Sequence, residues 1–78
     1  MDTVIVGHNP RALEYNPGND NIYVADRSPD TVSIIDTNNV VMDTVPVGDT
    51  PQSLKYKSAN DNIYVANQGS GTVSVIPP

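Results

Sequence analysis

The heptapeptide NDNIYVA stands at residues 19–25 and again, letter for letter, at residues 60–66. The two copies are 41 positions apart (60 − 19), and the likeness runs well beyond them. Sliding the chain against itself by 41 pairs residues 1–35 with 42–76 without a gap, and 20 of those 35 positions are identical. The shared blocks are MDTV-VG from Met1 and Met42, P--L-Y from Pro10 and Pro51, NDNIYVA, and TVS-I from Thr31 and Thr72. A period of about 40–45 residues suits either propeller blades or paired helices.

The residues inside one period choose between these two. There is no 3.6-residue apolar rhythm, Ala is scarce, and Pro and Gly punctuate the chain every ten residues or so, which argues against helices. Each period instead holds four short runs rich in Val, Ile, Thr and Tyr. In the second they cover 39–47, 52–57, 62–67 and 72–76, with turns at 48–51, 58–61 and 68–71. Four antiparallel strands in roughly forty residues is the make-up of a propeller blade. The expected fold is therefore all-β: a β-propeller unit over residues 1–78, with two four-stranded antiparallel blades, repeat one at 1–41 and repeat two at 42–78.

Two details place strands within a blade. Pro46 interrupts a good strand run, and Pro deletes a ladder hydrogen bond, so this run belongs at an edge. The runs Ile22-Tyr23-Val24-Ala25 and Val32-Ser33-Ile34-Ile35 are apolar on both faces, as expected of strands buried between two neighbouring layers.

Composition narrows the function classes. The net charge is −5, with four Lys plus Arg, which leaves no basic stripe for nucleic acid and no attraction to an anionic membrane. No apolar run reaches the roughly 20 residues of a membrane-spanning helix, and Met1-Asp2-Thr3 does not open a signal peptide. Cysteine is absent, so neither disulfides nor thiolate ligands are available. With no Phe and no Trp, the core is thinly supplied for a chain of 78 residues.

YVAD at 23–26 and YVAN at 64–67, each followed by a short loop and TVSIID or TVSVI, resemble the YVTN-type β-propeller repeats of surface-layer proteins. DTVPVG followed by P--L-Y is similar to the outer strand of one blade passing into the inner strand of the next. The resemblance covers nearly the whole chain. It implies a propeller used as a scaffold at the cell surface or outside the cell, with a cell-envelope protein as the partner class, and it implies little about chemistry.

Propellers close with four to eight blades, and two blades alone would leave two faces bare. Self-association head to tail into a closed ring is therefore expected, as a trimer first and a tetramer second. The start of the chain, an expected outer strand at 2–6, would complete the blade that ends at 72–76. The competing account is a piece cut from a longer propeller, since Met1 aligns with an internal Met42. Glu14 and Lys55 are repeat equivalents of opposite charge in inner strands, and alternating around a ring they would attract, so both are read as inter-blade contacts.

Catalysis and metals find no constellation. His8 is the single histidine, no serine has a histidine at a recognisable spacing, and one His with scattered Asp makes no zinc site. No catalytic residue, metal or cofactor is expected, and the chain is read as a non-catalytic module. Asp20 and Asp61 within Asn-Asp-Asn invite a calcium reading, but such residues suit tight turns without a metal. Tyr15, Tyr56, Tyr23 and Tyr64 come as matched pairs and fit blade packing better than a sugar platform. Any site should lie on rim loops, where the repeats differ: His8, Asn9, Arg11, Arg27, Asp30, Asp49, Gln52 and Gln68. Small-molecule or carbohydrate binding at that rim is the alternative function.

Overall fold

The computed structural model describes residues 1 and 3–78. Among these residues seven strands form two antiparallel sheets that follow chain order. The first contains β1 (His8–Asn16), β2 (Asn21–Ser28), β3 (Thr31–Ile35) and β4 (Val41–Pro46); the second contains β5 (Pro51–Lys57), β6 (Asn62–Asn67) and β7 (Thr72–Ile76). The strand runs expected in the second repeat match these bounds within two residues at each end.

The repeated Asn-Asp-Asn sets the tightest turns. Asp20 and Asp61 adopt left-handed backbone, with φ of 61° and 58°, a conformation Asp tolerates better than most residues. The amides of Asp20 and Asp61 donate to the carbonyls of Asn16 and Lys57 at 2.8 and 2.9 Å, closing both hairpins in the same way. Pro46 lies on β4, the edge of the first sheet, where its missing N–H faces no ladder. Strands β2 and β3 lie in the interior, and Tyr23, Val24, Ala25, Val32, Ser33 and Ile34 are all buried there.

The chain was expected to carry eight strands, in two four-stranded sheets, beginning with a strand at 2–6. Among the described residues there are seven, and the second sheet has three; residues 3–6 form no strand, and Asp2 lies outside the described residues. The reason is topological. A strand needs a neighbouring ladder, and Val4 and Val6 lie beside Leu13, Val24 and Ile35 of the first sheet. The edge they would match by repeat, β7, belongs to the other sheet.

The sheets pack face to face. Tyr23, Val32 and Ile34 from the first meet Ile63, Val65 and Ile76 from the second, and Val45, Val47, Leu54 and Tyr56 close around them. Period-two alternation sends the intervening residues outward. The first sheet thus turns Leu13 and Tyr15 away from the core, and the second turns Val73 and Val75 away from it.

Candidate functional site

The eight rim residues gather at one end of the two sheets, but mostly not on loops. His8, Asn9 and Arg11 open β1, Arg27 is near the end of β2, and Gln52 is in β5; only Asp30, Asp49 and Gln68 lie in connections. Registers explain the gathering, since His8 pairs with Ser28, Pro10 with Asp26 and Pro51 with Asn67. Arg11 and Gln52 are the extra residues of matching bulges, where the register slips between Pro10 and Ala12 and between Pro51 and Ser53. A bulge re-aims the side chain it carries.

Three of the eight are engaged in holding the sheets together. Asp30 accepts the Thr50 amide on Oδ1 at 2.9 Å and the Val47 amide on its carbonyl at 3.0 Å. The Gln68 amide donates to the Thr50 carbonyl, and Gly69 to that of Asp49. His8, Asn9, Arg11 and Arg27 are exposed, which leaves them as the open polar rim.

At the opposite end, the tyrosines are tied into the turns. Tyr15 OH donates to Asp20 Oδ1 at 2.6 Å, and Tyr56 OH makes the equivalent short bond to Asp61. Asn19 and Asn60 donate from Nδ2 to the hydroxyls of Tyr23 and Tyr64, while their Oδ1 atoms accept the amides of Asn21 and Asn62. Hydrogen bonding to the aspartate raises the Tyr15 and Tyr56 phenols above their ordinary value of 10.0, with burial and the carboxylate charge adding to it. The Asn60 amide moves Tyr64 the other way. These bonds account for the doubled Asn-Asp-Asn as a hairpin staple. Among the described residues no group of three or more His, Asp or Glu is placed to hold a metal.

A polar pit recurs beneath the rim, and the sequence reading missed it. Asp26 is wholly buried, its Oδ2 accepting Ser33 Oγ at 2.6 Å and Thr31 Oγ1 at 3.3 Å. Asn67 takes the same place in the second sheet, donating from Nδ2 to Ser74 at 2.8 Å and Thr72 at 3.2 Å. Among the described residues Oδ1 of each has no partner. A Cβ on Gly7 would come within 2.7 Å of Asp26 Cβ, so the backbone there closes the pit. The available signal was the Thr-x-Ser of TVS, which puts two hydroxyls on one strand face opposite an Asp or Asn.

Glu14 lies between the sheets, its Oε2 accepting the Tyr56 amide at 3.0 Å and its Oε1 the Tyr15 amide at 3.3 Å. Lys55 is exposed on the outward face of the second sheet. Within one chain, then, the glutamate is taken up by backbone amides and the lysine points the other way. In comparisons with known proteins, the chain matches no family model and no curated protein.

Proposed function

We propose that this chain is a non-catalytic β-propeller module, two blades long, that stacks head to tail with copies of itself and offers the finished ring as a scaffold for protein contacts. The observation that carries this reading is the packing of one repeat on the next through unlike faces. Glu14, Tyr23, Val32 and Ile34 of the first sheet meet the reverse side of the second. Such a contact is heterologous, and repeated by a rotation it closes into a ring. Each repeat unit needs neighbours on both sides to bury its faces. Identical two-blade chains give only even blade numbers, and three chains for six blades is the favoured assembly, with four chains for eight second.

The likeness to surface-layer repeats supports a place at the cell surface, with a cell-envelope protein meeting the rim that His8, Asn9, Arg11 and Arg27 leave open. Small-angle scattering and single-particle microscopy test the ring. The expected result is a disc with a central channel and three-fold or four-fold symmetry. An extended or two-sheet particle at all concentrations would overturn it.

A further inference from the structure

The outward face of the first sheet bears a cavity of about 520 Å³, lined by Val4, Val6, Leu13, Val24 and Ile35 among others. Adding 41 to each number gives Val45, Val47, Leu54, Val65 and Ile76. All five belong to the core between the sheets or pack against it. The cavity is thus the same apolar wall as that core. At the internal interface Tyr23, Val32 and Ile34, with Val45 beside Val32 in the same sheet, cover Leu54, Val65 and Ile76. Their equivalents are Tyr64, Val73 and Val75, and Val73 and Val75 are 62% and 51% exposed.

We propose that the occupant of this cavity is a second copy of the chain, which inserts Tyr64, Val73 and Val75 and takes the first copy's Thr3, Val4 and Ile5 as a fourth strand on its own β7. The proposal rests on the ring reading and gives it a surface and a register. In the first sheet β3 pairs with β4 through Thr31 with Pro46, Val32 with Val45 and Ser33 with Thr44. The same pairing between copies sets Thr72 opposite Ile5, Val73 opposite Val4 and Ser74 opposite Thr3. Among the described residues β7 is an open edge, which offers unpaired N–H and C=O groups to an extended segment.

Polar groups at this junction are also complementary. Inside the chain Asn16 Nδ2 donates to the Asp61 carbonyl at 2.8 Å; Lys57 of the second copy, its equivalent, brings a donor to the Asp20 carbonyl of the first copy. Lys55 of the second copy replaces Glu14, and the group it approaches is the Tyr15 amide of the first copy, where that copy's Glu14 Oε1 already lies 3.3 Å away. Opposite charges meet there. One corner fits less closely. A Cβ on Gly18 would come within 2.5 Å of Asp61 Cγ, and Ala59 carries that methyl group at the junction between copies, so Asp20 must turn aside.

Because the chain has no cysteine, a thiol pair reads the register directly. Thr3→Cys and Ser74→Cys are made in separate chains, mixed, and oxidised. Cα atoms directly opposite in an antiparallel ladder are about 4.5–5.5 Å apart, within disulfide reach. The expected product is a covalent two-chain species that neither variant forms alone. Val73→Asp, on an exposed position, should keep the strand signal in circular dichroism and lose the oligomer. An oligomer that persists through Val73→Asp, or that forms without the mixed disulfide, overturns this surface and register but spares the ring. A wild-type monomer overturns both, and leaves the cavity to some other apolar ligand.

Discussion

Val32 and Val73 are the same residue in the same strand of two repeats, yet one is fully buried and the other 62% exposed. Ile34 and Val75 differ likewise, at 7% against 51%. The reverse holds on the other side, where Leu13 is 69% exposed while Leu54 packs against the core. Local sequence does not explain these differences, because NDNIYVA and TVS are identical in both repeats. Position in the stack does. A repeat of this kind carries two apolar faces, and burial follows from whether a neighbour is present.

The largest contrast should come from placing a charge at the two valines. Val32→Asp buries an unpaired carboxylate in the core and should unfold the chain, a loss of several kcal/mol. Val73→Asp should leave thermal unfolding of the isolated chain within about 0.5 kcal/mol of the parent. Calorimetry on both variants checks the contrast, and equal losses would mean that the outward face is already covered within one chain.

Gly18→Ala is expected to cost about 1–3 kcal/mol, since the new methyl meets the Asp61 carboxyl across a packed contact. Ala59→Gly should do the opposite and tighten the assembly, seen as a lower dissociation constant. Asp26→Asn makes the first pit a copy of the second and replaces a buried carboxyl group with an amide. It should raise stability by about 1 kcal/mol in denaturant titrations.

The smallest effect concerns alkaline pH. The neutral phenols of Tyr15 and Tyr56 are favoured in the folded state, so their contribution is complete below pH 10 and is lost as pH rises through their raised values. Tyr64, moved down chiefly by Asn60, acts in the opposite sense and offsets part of the loss. Tyr15→Phe with Tyr56→Phe should flatten the decline in stability above pH 10, as followed by tyrosine absorbance and unfolding at each pH.

Much of the fold was legible in the residues because it rests on local rules. Gly, Pro and Asn-Asp mark the turns, Pro46 marks an edge, and doubly apolar runs mark β2 and β3. The segment at 3–6 was misread because strand propensity says nothing about whether a ladder partner lies nearby. The rim residues were recognised by their variation between repeats, but bulges at Arg11 and Gln52 carried the strands further into the rim than turn signals suggested. The hairpin staples could have been read from the matched spacing of Tyr15 to Asp20 and Tyr56 to Asp61, which a packing role for the tyrosines concealed. The face that each repeat turns outward is a property of the stack and is written in no single repeat.

The most direct test is the mass of the 78-residue chain in native mass spectrometry across a concentration series. Neighbour-dependent burial predicts a discrete trimer, or failing that a tetramer, whose peaks vanish in Val73→Asp. A monomer at every concentration, with Val73 and Val75 still open to solvent, would contradict it.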